Sequence, residues 1–400
     1  MKICAVICEF NPLHNGHEFL LKKAKELLPS SLLLCVMSGN FTQRGDFAIL
    51  DKHTRAENAV SCGADMVVQN PTMFATASSE IFSLSNIKII NAFKNVSNIV
   101  FGSECGDIEK LKKCADFFLN EPANYSALLK QFLDGGHNFN QSRLLALSEL
   151  GKNDPFCNEI YEIVQNPNNI LGIEYIKALK TINSTIEPIT IKRESDHNTT
   201  TLSKFTSSSA IRTAVYQGNT EKCKDCVPKC VYDKLINKNN LPDKNVFDNL
   251  VLYTLRTTPT NEMSKIFDVC EGLENRMKDQ AIKSLTLDEY FDKVSTKRYQ
   301  NARLKRIATQ LLLKIYKKDI CKIYKLKQLP FVKVLSAKKE ALKEIKCKSP
   351  LIVRNSETTK IKSPIAKRIF EIEDNCDQVY ALLCKKKETV PYIFEKTIIL

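Results

Sequence analysis

Residues 8–17 read Cys8-Glu9-Phe10-Asn11-Pro12-Leu13-His14-Asn15-Gly16-His17. They follow a short apolar run, 3–8, and open a helical pattern over 16–28. A strand that feeds a loop and then a helix is the first half of a βαβ unit. His14 and His17 are three residues apart, so at a helix start they share one face. Gly16 between them lets backbone approach a ligand closely, and the unpaired N–H groups of a helix start favour an anion. Two imidazoles in that place can donate hydrogen bonds to phosphate oxygens whose charge grows in a transition state. Either histidine alone could be a satisfied core or surface residue. The strand, the Asn-Pro turn, the HxGH tetrad and the helix in that order point instead to phosphate chemistry.

Working outward, the first two hundred residues alternate apolar runs with helical patterns. The runs are 3–8, 32–37, 66–68, 99–101 and 186–191; the helix candidates are 16–28, 51–62, 79–93, 108–119 and 172–179. This alternation predicts an α/β fold, a doubly wound, Rossmann-like parallel sheet. Such sheets bind ligands outside the carboxyl ends of their strands, which directs attention to the loops after Cys8, Met37 and Phe101. From Ser208 the pattern becomes mainly helical. A long amphipathic candidate spans 297–317, with Leu304, Ile307, Leu311, Leu312 and Ile315 on one stripe. Residues 330–400 mix short β-like runs, such as 331–335, with lysine-rich segments, and their fold is not assigned.

The 400 residues carry a formal charge of +14, distributed unevenly: residues 1–215 sum to about −1 and residues 216–400 to about +15. A chemistry domain over 1–215 and a polyanion-binding, mainly helical region over 216–400 would produce that asymmetry; a lysine-rich solvated surface is the plainer alternative. The apolar run at the N-terminus is too short for a signal-peptide core, and no run is long enough for a membrane span. A cytoplasmic protein without membrane contact is expected. There the 15 cysteines are reduced and serve as small core residues. Cys223, Cys226 and Cys230 lack a fourth ligand nearby, so no metal site is assigned to them.

The segment 10–17 resembles the HxGH signature of the nucleotidyltransferase superfamily. Thr206-Ser-Ser-Ser-Ala-Ile-Arg212 resembles its second signature, a hydroxyl-rich turn entering a helix that carries an arginine. Hydroxyls and N–H groups at a helix start suit β- and γ-phosphate oxygens. A narrower resemblance covers nearly the whole chain. Val36-Met-Ser-Gly-Asn-Phe-Thr-Gln-Arg-Gly45, Phe101-Gly-Ser-Glu-Cys-Gly-Asp107, Asn166-Pro-Asn-Asn-Ile-Leu-Gly172 and Lys297-Arg-Tyr-Gln-Asn-Ala-Arg-Leu-Lys-Arg306 occur in order. Together they resemble the bacterial tRNA(Met) cytidine acetate ligase family.

That resemblance implies an enzyme that forms acetyl-adenylate from acetate and ATP, then acetylates the wobble cytidine of elongator tRNA(Met). It implies His14 and His17 as catalytic residues. It places ATP against Ile7, Cys8, Glu9, Phe10, Asn11, Pro12, Leu13, His14, Asn15, Gly16, His17, Glu18, Phe19 and Leu20, then Gly102, Asn168 or Asn169, Arg193, Ser208 and Arg212. ATP is a substrate, Mg²⁺ is expected to accompany it, and no tightly bound cofactor is required. Arg298, Arg303, Lys305 and Arg306 are expected to meet tRNA phosphates, with Tyr299 nearby for stacking; a solvated helix face is the alternative. Cys8 and Leu13 stand where the family more often has a small apolar residue and an aromatic. Two rival readings are a nucleotidyltransferase acting on a small cofactor precursor and a non-catalytic RNA-binding protein. The basic second half speaks against the first, and the intact histidine pair against the second.

Overall fold

The computed structural model describes residues 1–193, 206–237, 241–354, 357, 361–384 and 397–400. Five parallel strands form the first part of the sheet: β1 (Lys2–Cys8), β2 (Ser31–Ser38), β3 (Met66–Asn70), β4 (Val96–Ser103) and β5 (Glu187–Lys192). All five lie where the sequence pattern expects them. Alternate residues of β1 feed two separate cores. Ile3, Ala5 and Ile7 pack on one face, and Cys4 and Val6 on the other. Burial on both faces is why these strands read as continuous apolar runs.

The sheet order is β5-β4-β1-β2-β3, continued by β6 (Val332–Ala337) and β7 (Leu351–Ile352), with β8 (Ile398–Ile399) also paired to β6. The order reverses between β1 and β4, so a crevice opens there beyond the strands' carboxyl ends. The loop 8–17 and Gly102 both stand at that crevice.

β6 runs antiparallel to β3, with Met66 opposite Ala337 and Val67 opposite Ser336. β3 is buried along its whole length, and an edge strand so apolar needs a neighbour. The end of the chain supplies it, so the sheet draws strands from both sides of the position near residue 215. Helices dominate from Ser208 to Lys325, and among the described residues the span 332–399 adds three short strands. Among the described residues no helix is long and apolar enough to cross a membrane.

Two features depart from the sequence pattern. The amphipathic candidate over 297–317 is a shorter helix, Asn301–Leu312. Lys314 takes φ of +55°, and Ile315 N–H returns to Gln310 O at 2.8 Å. This left-handed closure turns Ile315 back into the core. Between β4 and β5 stand three unread helices, Ala123–Asp134, Phe139–Gly151 and Pro155–Ile163. Phe139–Gly151 packs between the other two, and its apolar residues are spread around its axis rather than along one stripe.

The helix Pro364–Leu383 binds the loops after β2 and β3 through a buried polar network. Lys52 Nζ meets Asp377 Oδ2 at 2.6 Å, with side chains 6% and 9% exposed. Asn40 Nδ2 donates to Asp377 Oδ1 at 2.9 Å. Thr72 N–H and Oγ1 donate to Glu373 at 2.5 and 3.0 Å, and Gln69 Nε2 donates to the same carboxylate. Burial raises both carboxyls, Asp377 to about 6, against the opposing pull of Lys52.

His53 is buried next to Lys52, and burial with that charge pushes its imidazole from 6.5 down to about 4. The unfolded chain therefore binds a proton at this site below pH 6.5 that the folded chain refuses. The site's contribution to stability is complete above that pH and is lost as pH falls towards 4. Urea midpoints taken from pH 7 down to about 4.5 should fall less steeply in His53→Gln than in the wild type.

Candidate active site

β1 delivers Glu9 and Phe10 to the crevice, and Phe10 turns the chain with φ of +47° before a cis Asn11–Pro12 bond. The loop is fastened by groups remote in sequence. Asn11 Oδ1 accepts from Ile49 N–H at 2.8 Å. Arg55 is fully buried and donates from Nη1 to Glu9 O at 2.5 Å and from Nε to Leu50 O at 2.9 Å. Its Nη2 reaches Ser38 O at 3.2 Å and also Gly39 O. One guanidinium thus ties the exits of β1 and β2 together. Nothing in the local sequence distinguishes Arg55 from a surface arginine, because all its partners are backbone carbonyls.

His14 caps the first helix, Asn15–Leu27. Its Nδ1 accepts from Gly16 N–H at 3.1 Å, and His17 Nδ1 accepts from His14 N–H at 3.4 Å. With Nδ1 accepting in both rings, the neutral imidazoles carry their proton on Nε2. The rings stack with centroids 3.7 Å apart and 23° between planes, and Phe10 sets its edge against His17 at 5.1 Å. A Cβ on Gly16 would stand 3.0 Å from His14 Cε1, so the tetrad's glycine makes room for the first ring. Burial, His14 and Arg193 all lower the proton affinity of His17. It is therefore neutral near pH 7 and a donor through Nε2.

Arg193 enters from the end of β5, its N–H bonded to Ser103 O at 2.9 Å. Gly102 is opposite: a Cβ there would lie 3.3 Å from Arg193 Cγ. The Arg193 Nε is buried and has no partner among the described residues. Glu104 acts on the same guanidinium and is held by Asn168 Nδ2 at 2.7 Å and Asn169 N–H at 2.9 Å.

The two asparagines differ. Asn169 is buried; its Oδ1 accepts from Glu104 N–H and Cys105 N–H at 3.0 and 3.1 Å, and its Nδ2 donates to Ile163 O at 2.9 Å. It clamps the end of β4 to the helix Pro167–Thr181. Asn168 is half-buried and faces Glu104. Asn169→Ala should therefore cost about 1–3 kcal/mol of folding stability in urea denaturation, since two part-buried N–H groups lose their acceptor. Asn168→Ala, which gives up a half-buried bond to Glu104, should fold nearly as well as wild type.

The second signature docks onto the first loop. Ser208 Oγ donates to Pro12 O at 3.2 Å, and Arg212 Nη1 to Asn11 O at 2.7 Å. Asn15 fixes the other side, its N–H on Cys226 O at 3.0 Å and its Nδ2 on Asp225 O at 2.8 Å. Glu9 Oε1 accepts from Ser38 Oγ at 2.9 Å and Gln43 N–H at 2.7 Å. The loop residues, Gly102, Asn168, Arg193, Ser208 and Arg212 thus converge on one crevice. Glu18 instead pairs with Lys22 at 3.2 Å on the outer helix face, while Ile7 and Leu13 belong to the cores. The Cys8 thiol is raised well above its ordinary range, chiefly by burial; it is neutral and unsuited to attack.

The basic stretch is more engaged than an exposed helix face. Arg298 is exposed and pairs with Glu271 at 2.7 Å. Arg303 turns inward to Asp268 O at 2.5 Å and lies 5.3 Å over Tyr299. Arg306, its side chain 15% exposed, faces the Asp268 carboxylate at 3.8 Å. Tyr299 is buried beneath Arg303 and offers no open ring for stacking. Lys305 is exposed, 5.8 Å from the Phe291 ring. Arg298 and Lys305 are the members of the set that face solvent. Cys223 and Cys226 are buried, and Cys230 lies 3.8 Å from Cys62, sulfur to sulfur.

Comparison with known proteins adds a second line of observation. The family model described as HIGH Nucleotidyl Transferase matches residues 1–392. A tRNA(Met) cytidine acetate ligase of Clostridium perfringens is 37% identical over 392 residues, 96% of each chain. One from a Thermoanaerobacter species is 38% identical over 397 residues, again 96% of each. Among solved structures, Thermotoga maritima TmcAL bound with alpha-thio ATP has a TM-score of 0.89 at 26% identity, covering 100% of both chains. The apo form of that protein gives 0.92 and 27%, with the same coverage.

Proposed function

Since this chain belongs to the HIGH nucleotidyl transferase family, and within it to the tRNA(Met) cytidine acetate ligases, we propose that it joins acetate to the wobble cytidine of elongator tRNA(Met) at the expense of ATP. An acetate oxygen attacks the α-phosphorus of ATP and pyrophosphate leaves, giving acetyl-adenylate. The exocyclic amine of the cytidine then attacks the acetyl carbonyl, and AMP leaves with formation of N4-acetylcytidine.

The observation that carries this reading is the stacked pair of imidazoles at the start of the first helix, each with Nδ1 taken by a backbone N–H and so with Nε2 left as the donor. Donors fixed before the reaction stabilise the charge that gathers on the phosphate without reorganising during it. His14 and His17 are assigned to the α-phosphate, where attack and departure take place. Arg193, whose Nε has no partner among the described residues, is assigned to the nucleotide. Ser208 and Arg212 line the side towards the β- and γ-phosphates. Neutral Cys8 takes no covalent part.

Mg²⁺ is expected to arrive on the triphosphate, as it commonly does. Among the described residues no group of three or more His, Cys, Asp or Glu is placed to hold a metal ion, and no step here is routed through one. Adenylation is assigned to residues 1–215 and capture of the tRNA to the basic surface of 216–400. The proposed compartment is the cytoplasm, where charged and uncharged tRNA circulate.

The test is to incubate the protein with ATP, Mg²⁺ and labelled acetate, with and without tRNA. Acetate should trigger pyrophosphate release, and the label should appear in tRNA as N4-acetylcytidine. Pyrophosphate release indifferent to acetate, with unlabelled RNA, would reject the ligase reading.

A further inference from the structure

The loop after β2 closes on itself at its tip. Phe41 bridges Phe47 in antiparallel register. Thr42 N–H donates to Asp46 O at 2.9 Å and Gly45 N–H to Thr42 O at 3.0 Å, which leaves Gln43 and Arg44 at the apex. One flank is fixed to the phosphate-binding loop by Gln43 N–H on Glu9 Oε1 at 2.7 Å. The other is fixed to the basic helix Asn301–Leu312 by Thr309 Oγ1 on Gly45 O at 2.8 Å. Gly45 has φ of +71°, and a Cβ there would lie 2.5 Å from Arg306 N, so loop and helix touch backbone to backbone. This apex is where the adenylation loop and the basic helix meet.

Arg44 is exposed at that junction, and no hydrogen bond or ion pair ties it to any described residue. Its guanidinium is near enough to Arg212 to lower that residue's proton affinity. The Asp46 carboxyl feels both Arg212 and Lys305, while Asp248 is taken by Lys244 at 2.6 Å. Arg212 and Lys305 thus both act on the Asp46 carboxyl, which burial raises, while Arg44 stands beside Arg212 with no carboxylate paired to it among the described residues. Like charges held this close disfavour one another until an anion joins them. A planar fork such as Arg44 suits a phosphate with two hydrogen bonds.

We propose that Arg44 is an RNA-positioning residue, its guanidinium taking a backbone phosphate of the tRNA with Lys305 beside it and so seating the acceptor cytidine over the adenylate. The inference rests on the ligase reading. A nucleotide phosphate has the same chemistry, but that side is served by Arg212, whose Nη1 is bound to the loop at Asn11 O, whereas Arg44 is exposed on the side of the basic helix.

The experiment uses full-length Arg44→Ala and Arg44→Lys, with three measurements: acetate-dependent ATP–pyrophosphate exchange without RNA, tRNA affinity across a KCl series, and acetyl transfer. Exchange should match wild type. The log–log salt slope of tRNA binding should become shallower by about 0.7–0.9 in Arg44→Ala, one phosphate contact. Transfer kcat/KM should fall on the order of tenfold, with lysine restoring part of it as a point charge. A loss of folding would move exchange and melting temperature together, which an exposed side chain should not do.

Exchange that falls in step with transfer would assign Arg44 to the nucleotide and overturn the proposal. An unchanged salt slope would overturn it as well. If wild type shows no acetate-dependent exchange, the ligase reading fails. The binding series, which needs only tRNA, still decides whether Arg44 holds an RNA phosphate.

Discussion

Replacing either His14 or His17 with alanine should lower acetate-dependent pyrophosphate release on the order of a hundredfold or more, the usual consequence of removing one preorganised donor from a developing oxyanion. The two rings stack on each other, and each is fixed by a backbone N–H on Nδ1, so neither can replace the other. His14 also caps the first helix, and His14→Ala gives up that cap at about 1 kcal/mol. His14→Asn separates the two roles, because asparagine caps well but supplies no imidazole. It should melt near wild type yet remain as slow as alanine. The affinity for tRNA should be unaffected in all three variants. Near-normal pyrophosphate release by His14→Asn and His17→Ala would reduce the pair to structural residues and remove the basis for the adenylation site.

The second large effect concerns stability. Asp377→Ala should destabilise the chain by roughly 3–5 kcal/mol, measured by urea denaturation, because it leaves the Lys52 ammonium buried and unpaired. Lys52 is 4% exposed, and Asn40 Nδ2 would lose its acceptor in the same change. Lys52→Met combined with Asp377→Leu should recover much of the loss, since a buried ion pair can be exchanged for apolar contact at small net cost. A change below about 1 kcal/mol in Asp377→Ala, the range of surface pairs, would show that water reaches the network. The effect extends to the site, because Asn40 and Gly39 begin the loop that carries Gln43 to Glu9. A chain cut near residue 215 would lack both β6 and the helix Pro364–Leu383, exposing the apolar edge of β3 and uncovering Lys52.

Local structure was legible wherever local chemistry dictates it. The five parallel strands announce themselves by apolar runs, and the helices Asn15–Leu27 and Ile108–Leu119 by their periodicity. Of the three inserted helices, Phe139–Gly151 leaves no single apolar stripe to read, whereas Pro155–Ile163 does carry one, Cys157, Ile160 and Ile163, on a helix of only nine residues. β6 was visible as a β-like run but not as part of this sheet, since nothing in 332–337 names β3 as its partner. Asn168 and Asn169 are chemically identical in the sequence; burial under Glu104 N–H and Cys105 N–H makes one of them a clamp. The arginines of 298–306 read alike as phosphate contacts, yet Asp268 draws Arg303 and Arg306 inward and leaves Arg298 and Lys305 at the surface.

By itself, then, the sequence determined where the loop 8–17 lies, because strand, turn, tetrad and helix start are neighbours along the chain and can be read in order. It also determined the uneven charge, which follows from composition alone. The family resemblance pointed to Arg193, Asn168 or Asn169 and Arg212, but only the tertiary structure decided how that loop is held and what each of these residues touches. Arg55, Arg193, Asn169, Arg212 and Asp377 act on groups from about 45 to more than 300 residues away. Hydrogen bonds from side chains to distant backbone or side-chain groups leave no periodicity and no spacing in the sequence, so such contacts exist only once the fold has brought those segments together.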